Sequence, residues 1–458
     1  MSRLVEIPIP MTAEGYATFI RCKSLPRYEV RGNTIVTDDQ SYSHVFGTAR
    51  AQAKANLHAS MQFDYQAEIT DRALFAKRYA PYLDCGLGKT RIELAFADSI
   101  GERVIFFCPL AVMADIEDEA RAMDIGISNL RKGPWVEKIG LMNFEAMRAF
   151  DMRNVAGIVV DEASILKNGD GAIRGYLTDM AAGCEYRLAP SATPSPNDQS
   201  EYATQSVFLG YSASLKEFYS RFFRKEGTDW ILKPHATEPF YQHLASWACY
   251  IKSPSKLGFQ RGGELEREPN YIVLESDDSG YLPDGQLFGN EMSLSEAQKV
   301  FGSFRSDTST DRFAKAVRAV DGRHAVIWCL RNSEEDAFRE ATGATVINGS
   351  TPEEERIEIV NAFRRGEIQK LISKPKVLGY GVNIPQADAH LFSGYDYSFE
   401  KFYQAVRRSH RYGRTGDLDV FIPMAECEKP VWHALSAKLK TFDRDCQELQ
   451  ARFFKEAA

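Results

Sequence analysis

Two parts of the chain alternate short apolar runs with stretches of helical character. The first part contains three such runs, at 103–112, 157–163 and 186–193. The second part contains five, at 324–330, 344–350, 370–375, 389–394 and 418–424. Apolar strands separated by helices are typical of a parallel sheet that is covered by helices on both faces. The pattern therefore predicts an α/β protein with two tandem parallel-sheet lobes.

The stretches around these lobes set the predicted domain boundaries. Residues 1–50 form a small N-terminal element, in which 12–22 is a predicted helix and 27–39 a hairpin with a Gly-Asn turn. A polar stretch rich in Gly and Asp is typical of a connection between domains. The predicted segments are the N-terminal element 1–50, the first lobe 51–255, the linker 256–295 and the second lobe 296–458.

The last thirty residues have the spacing of one or two helices that begin near Pro430. Apolar residues recur there every three or four positions, as on one face of an amphipathic helix. The predicted apolar face comprises Leu435, Leu439, Phe442, Leu449 and Phe453.

Composition excludes several classes of protein. The chain of 458 residues is 44% hydrophobic, which is enough for two or three domain cores. No segment approaches the roughly 18 to 20 apolar residues of a membrane span, and the first ten residues lack the features of a secretory signal. The eight cysteines form no CxxC pair, so reduced thiols and a cytoplasmic location are expected. The net charge of -7 restricts any nucleic-acid contact to local basic clusters.

A phosphate-binding loop is predicted at Leu83–Thr90, between an apolar segment and a helical stretch. Gly86 and Gly88 allow backbone amides to turn toward phosphate oxygens at the start of a helix. Lys89 is placed to reach the β- and γ-phosphates, and Thr90 to hold magnesium. Leu83 stands where the strict Walker A pattern has a small residue.

Two adjacent carboxylates, Asp161 and Glu162, follow the apolar run that ends at Val160. A carboxylate at a strand end is suited to hold magnesium, and its neighbour to orient and deprotonate an attacking water. The alternative is that these acids only cap the first turn of a helix. The upstream phosphate loop favours the catalytic interpretation.

These motifs resemble those of the superfamily-two helicases, and among them the Swi/Snf-like DNA translocases of compact bacterial or phage type. The Leu-Lys-Asn that ends the acidic motif indicates the Swi/Snf branch. The resemblance covers about residues 60–425 and implies RecA-like lobes with an ATP cleft between them, with ATP and Mg²⁺ as ligands. The motifs, in the family's order, are Phe63–Gln66, Leu83–Thr90, Asp161–Asn168, Ser191–Asn197, Asn348–Phe363, Ser373–Asn383 and Gln404–Arg414.

The resemblance also implies roles for individual residues. Gln66 would read the adenine base. The residues that would couple the nucleotide site to the nucleic acid are Ser191, Thr193, Gly381 and Asn383.

Three residues of the last motif are expected to act on ATP from the second lobe. Gln404, Arg408 and Arg411 are spaced by four and by three, so on a helix they would share one face. An arginine delivered from a facing lobe stabilises charge in the transition state. The alternative is a solvated basic helix face.

Several functions remain open at this point. The leading hypothesis is an ATPase that moves along double-stranded DNA, and the alternative is a helicase that separates DNA or RNA strands. A motor subunit of a restriction, modification or replication complex would dock a nuclease, methyltransferase or replication factor on residues 1–50 or the last helix. Glu162, Arg408 and Arg411 argue against a nucleotide-regulated binding module without turnover. Ser164, in place of the family's histidine, predicts altered coupling but retained turnover.

Overall fold

The computed structural model divides into two compact units, one of Met1–Gly262 with Thr441–Ala458 and the other of Gly263–Lys440. Among the residues that it describes, no helix is long and apolar enough to cross a membrane. The seven cysteines within those residues are free thiols, and six of them are buried. The described residues are 4–12, 15, 18–19, 22–23, 25, 27–38, 41–42, 45, 54–167, 171–259, 268–276, 309–378, 382–393, 398–411, 414, 416–424 and 429–453.

A small antiparallel sheet lies at the start of the first unit. Its strands are β1 (Leu4–Pro8), β2 (Glu29–Arg31) and β3 (Thr34–Asp38), in the order β1-β3-β2. The predicted hairpin is present, since Arg31 pairs with Thr34 across the Gly32-Asn33 turn. Most of the helix predicted at 12–22 falls outside the described residues.

The first unit is built on a parallel sheet of seven strands in the order β12-β4-β9-β8-β5-β7-β6. Central strands such as β5 are buried along their whole length, as expected for a sheet covered on both faces. Its strands are β4 (Arg78–Leu83), β5 (Val104–Cys108), β6 (Ile127–Asn129), β7 (Ile139–Asn143), β8 (Gly157–Val160), β9 (Tyr186–Leu188) and β12 (Ala248–Ile251).

Seven helices of the first unit are described in full, together with a hairpin that the sequence reading did not predict. The hairpin joins β10 (Phe223–Glu226) to β11 (Asp229–Leu232). The helices are α1 (Asp64–Ala76), α2 (Lys89–Ser99), α3 (Met113–Ala122), α4 (Ala172–Ala181), α5 (Tyr202–Leu209), α6 (Leu215–Phe222) and α7 (Thr237–Ala245).

The second unit contains a parallel sheet of six strands in the order β13-β18-β17-β14-β16-β15. The two sheets confirm the predicted α/β class with two tandem lobes. The strands are β13 (Asn270–Glu275), β14 (Ala325–Trp328), β15 (Thr345–Ile347), β16 (Lys370–Ser373), β17 (Ala389–Phe392) and β18 (Asp419–Met424). The helices are α8 (Ser309–Ala319), α9 (Asn332–Thr342), α10 (Glu353–Arg364) and α11 (Phe399–Val406).

The last helix, α12 (Lys429–Arg452), belongs to both units. Its residues up to Lys440 are in the second unit, whereas those from Thr441 onward pack in the first. The predicted second lobe, 296–458, differs from this division because Phe442, Leu449 and Phe453 are buried in the first unit.

The predicted linker 256–295 also differs from the structure, because it contains β13. This strand pairs in parallel with β18, with Tyr271 opposite Val420. The second unit therefore begins inside the polar stretch that the sequence assigned to a connection.

Candidate functional site

The phosphate loop occupies the turn between β4 and α2. Gly86 and Gly88 have φ values of 89° and 72°, which are left-handed and favour glycine. A Cβ on Gly88 would lie 2.4 Å from Nε2 of Gln66, so a larger residue at this position would displace the glutamine. The loop thus leads directly into the N-terminus of α2. The backbone N–H groups at the start of a helix have no helical partner and can bind phosphate.

Lys89, the first residue of α2, carries the positive charge of this loop. Its Nζ donates to the carbonyl oxygen of Leu83 at 3.3 Å. Burial lowers the pKa of Lys89, but the nearby Cys85, Glu162 and other acidic groups outweigh burial and leave the pKa raised. The side chain therefore keeps its charge for a phosphate group. Thr90 follows it in the first turn of the helix and is half-buried.

The two carboxylates lie at the end of β8, which is separated from β4 only by β9. The backbone N–H of Asp161 donates to the carbonyl of Phe107 at 2.8 Å, which continues the sheet pairing by one residue. Glu162 then turns away with a φ of 61°. A left-handed conformation at a residue other than glycine costs about 1–3 kcal/mol, so the surrounding contacts must hold it.

Ser191, at the end of β9, provides such a contact. Its Oγ donates to Oε1 of Glu162 at 2.8 Å. Its carbonyl oxygen accepts from the backbone N–H of Leu83, the last residue of β4 and the first of the phosphate loop, at 3.2 Å. The structure thus brings three predicted motifs together, with Ser191 bonded to the other two.

Glu93 is a further acidic residue that the sequence reading missed. It is fully buried in α2, one helical turn after Lys89. Burial raises its pKa well above the usual value, and the charge of Asp161 raises it further. The signal in the sequence was its spacing of four from Lys89, which places both side chains on one helix face.

The oxygen groups around Lys89 fit a magnesium ion. Three carboxyl groups, those of Glu93, Asp161 and Glu162, interact with the single ammonium of Lys89. Burial raises the pKa of Asp161, while Lys89 opposes that rise. Mg²⁺ takes oxygen ligands and is usually bound through one or two carboxylates together with substrate phosphates. Among the described residues, no group of three or more His, Cys, Asp and Glu side chains is arranged to hold a metal ion alone. Thr90 and Asp161 remain the proposed ligands.

Gln66 lies against the phosphate loop. Its Nε2 donates to the carbonyl of Leu87 at 3.0 Å, and its Oε1 accepts from the backbone N–H of Phe63 at 3.0 Å. Tyr65 adds a second bond to the Leu87 carbonyl at 2.9 Å. The Phe63–Gln66 motif thus supports the loop, and both the oxygen and the nitrogen of the Gln66 amide are hydrogen-bonded to protein.

The Ser-Ala-Thr segment is fixed by neighbours on several sides. Thr193 is fully buried, and its backbone N–H donates to Oγ of Ser191 at 3.1 Å. Tyr250 donates to the carbonyl of Ala192 at 3.3 Å, and Gln205 donates to that of Pro194 at 2.6 Å. A change in this segment would reach Glu162 through Ser191.

In the second unit, the structure places Asn383 next to the arginine motif. The backbone N–H of Ile384, the following residue, donates to the carbonyl of Arg408 at 3.0 Å. The carbonyl of Asn383 itself accepts from Nε of Arg364 at 2.8 Å. Gly381, its predicted partner, lies outside the described residues.

The helical arrangement considered for the arginine motif is corrected by the structure. Helix α11 contains Gln404 but ends at Val406, so Arg408 and Arg411 lie in the turns that follow. Arg407 is buried, where it pairs with His410 and stacks on Tyr403 at 4.7 Å. The side chains of Arg408 and Arg411 are half-buried.

A buried histidine anchors these turns to the sheet. Nδ1 of His390 accepts from Nε1 of Trp328 at 3.2 Å, and its Nε2 lies 2.7 Å from Oγ of Ser409. Burial, with a contribution from Arg414, lowers the pKa of His390 to about 3. The ring is therefore neutral and donates from Nε2 to Ser409, between the two arginines.

Comparisons with known proteins find similarity to helicases. Residues 291–413 match the model of the family described as the helicase conserved C-terminal domain. No curated protein matches the chain. Among solved structures, the Sulfolobus solfataricus SWI2/SNF2 ATPase core in complex with dsDNA is similar at 16% identity and a TM-score of 0.41, over 88% of this chain and 98% of that one.

Proposed function

We propose that this chain, of which residues 291–413 match the helicase conserved C-terminal domain, hydrolyses ATP in order to move along double-stranded DNA. One observation carries the ATPase assignment: Ser191 bonds both to Glu162 and to the strand that leads into the phosphate loop. The choice of track rests on the Leu-Lys-Asn and Gly-Ser-Thr sequences, which resemble the duplex-translocating branch.

We propose a separate role for each of the site residues in the first unit. Lys89 would bind the β- and γ-phosphates, and Gln66 would contribute to adenine recognition. Thr90 and Asp161 would hold a magnesium ion, which neutralises phosphate charge when bound. Glu162 would accept a proton from the water whose oxygen attacks the γ-phosphorus as the bond to ADP breaks.

The second unit would complete the reaction. Arg408 and Arg411 are proposed to stabilise the charge that develops on the transferred phosphoryl group, with Gln404 as a third contributor. Asn383 and Gly381, with Ser191 and Thr193 in the first unit, are proposed to couple hydrolysis to the nucleic acid. A partner such as a nuclease, methyltransferase or replication factor remains a further proposal.

The test is the rate of ATP hydrolysis with duplex DNA, single-stranded DNA and RNA, measured side by side. Glu162→Gln protein, purified identically, is the control for contaminating ATPases. We expect duplex DNA to give the largest stimulation. Stimulation by single strands or RNA alone would favour a strand-separating helicase, and nucleotide binding without turnover would favour a regulated binding module.

A further inference from the structure

The second half of α12 is an integral part of the first unit. Phe442 packs edge-on against Tyr250 at 5.7 Å between ring centroids, and Phe453 against Phe259 at 6.3 Å. Leu449 is buried between them along the helix. This half of the helix therefore completes the core of the unit that holds the phosphate loop.

A carboxylate lies within that buried contact. Asp445 is 1% exposed, and its Oδ1 accepts from Nε2 of Gln199 at 2.6 Å and from the hydroxyl of Tyr241 at 2.7 Å. Its Oδ2 is buried and has no hydrogen-bond partner among the described residues. Burial raises the pKa of Asp445 to about 6, although both hydrogen bonds favour the charged form.

Stability alone does not account for this carboxylate. An apolar side chain of similar volume in a buried contact is often as stabilising as a buried charge, or more so. A buried polar group instead specifies one arrangement of the elements that it joins. The elements joined here are α12, α7 and the turn that contains Gln199.

Gln199 lies just beyond the Ser191–Asn197 segment, which contacts Glu162, the proposed catalytic base. It follows Asn197 by two residues, and Ser191 at the other end of the same segment donates to Glu162. The side chain of Asn197 is in turn held by Glu201 at 2.7 Å. Asp445 is thus linked to Glu162 through one short, well-fixed stretch of backbone.

We propose that Asp445 is a positioning residue, which holds Gln199 so that the Ser191–Asn197 segment presents Ser191 to Glu162. The helix that contains Asp445 begins in the second unit, where Trp432 packs on Tyr271 at 6.3 Å between centroids. This inference rests on the proposed function, in which nucleic acid stimulates hydrolysis.

The test compares Asp445→Leu with wild-type protein in basal and duplex-stimulated ATPase rates, in KM for ATP and in melting temperature. We expect kcat to fall about three- to tenfold in basal and in duplex-stimulated hydrolysis, with KM for ATP retained, because a displaced Ser191 weakens its bond to Glu162. Asp443→Asn is the matched control, because it removes an ion pair of the same helix, to Lys252 at 3.0 Å, away from the segment.

Tyr241→Phe provides a second variant that leaves α12 unchanged and removes one donor to Asp445. We expect it to show a smaller loss of kcat in the same direction, with no change in KM. A wild-type kcat in both variants would overturn the role of Asp445, as would an equal loss of kcat in Asp443→Asn. Wild-type protein that no nucleic acid stimulates would overturn the proposed function, and this inference with it.

Discussion

Glu162 has a strained backbone, a bond from Ser191 and the charge of Lys89 nearby. Strain that is held by surrounding contacts is characteristic of functional positions. We predict that Glu162→Gln binds ATP but does not hydrolyse it, because the amide cannot accept the proton of the attacking water. Lys89→Ala should lose hydrolysis too, since it removes the positive partner of the phosphates. Binding of a fluorescent ATP analogue together with phosphate release distinguishes the two variants.

Ser191→Ala is a milder change at the same site than Glu162→Gln. It removes the hydroxyl that donates to Oε1 of Glu162 but leaves the carboxylate itself. Turnover should fall by less than in Glu162→Gln. Hydrolysis at the wild-type rate by Glu162→Gln would remove this residue from the role of base.

Gln66 is proposed to contribute to recognition of the adenine base. Its amide can pair with a donor and an acceptor on adenine, and the structure also joins it to the carbonyl of Leu87 in the phosphate loop. Gln66→Ala should therefore weaken discrimination between ATP and GTP and raise KM for both nucleotides. The ratio of kcat/KM for ATP and GTP is the measurement, and an unchanged ratio would contradict the adenine assignment.

Some strands with continuous apolar runs were predicted from the sequence, whereas the buried strands β7 and β12 were not. The runs at 103–112 and 157–163 contain β5 and β8, because strands buried on both faces have few polar positions. The strand β13 could not be predicted, since its side chains are only half-buried and its neighbours in the sequence are polar. Which unit a helix packs against is likewise set by long-range contacts, so the amphipathic pattern of α12 did not show it.

The residues of the candidate site were likewise only partly predictable from the sequence. The phosphate loop and the acidic pair have local signatures, and the sequence placed both correctly at strand ends. Glu93 is indicated in the sequence only by its spacing from Lys89, and Gln199 by nothing local, because burial and the neighbouring carboxylates are what distinguish them from ordinary polar residues of a helix or turn.

The helix α12, whose residues belong to both units, has a buried aromatic side chain that can be removed. Phe442 is 2% exposed and packs on Tyr250 in the first unit. Phe442→Ala should destabilise the protein by about 3–5 kcal/mol, the usual cost of removing a buried aromatic side chain. Gln447→Ala, an exposed change in the same helix, is the control. Denaturant unfolding is the measurement, and equal stability of the two variants would contradict the packing of α12.

At the scale of the whole molecule, turnover is proposed to require both units. Arg411→Ala should reduce kcat by about 10³ while ATP affinity falls much less, because an arginine finger acts in the transition state. Arg365→Ala is a matched control, since Arg365 is a surface residue of the same unit that pairs with Glu367. Wild-type turnover in Arg411→Ala would show that this arginine is not needed.

The division of the chain determines how the units should be separated for a further test. A fragment that ends near residue 275 lacks Thr441–Ala458, which belongs to the first unit. Loss of activity in such a fragment would therefore report damaged packing as well as the missing arginines. Substitution of Arg408 or Arg411 in the full chain avoids that ambiguity.

The proposed motor would contact duplex DNA mainly through its phosphates. A motor that grips phosphates rather than base edges should be stimulated by duplex DNA of any sequence, and the stimulation should fall steeply as salt rises. The net charge of -7 makes this a demanding expectation, because the contacts must come from a local basic surface. ATPase rates on duplexes of unrelated sequence, at low and moderate salt, test both parts of the expectation.

Movement along a duplex should also displace the third strand of a triplex without separating the two strands of the duplex. A triplex with a labelled third strand and a forked duplex of the same sequence distinguish translocation from unwinding, and Glu162→Gln protein controls for displacement by binding alone. We expect third-strand release that requires ATP, with the fork left paired. Robust unwinding of the fork, or stimulation by RNA with no response to duplex DNA, would instead identify a strand-separating helicase.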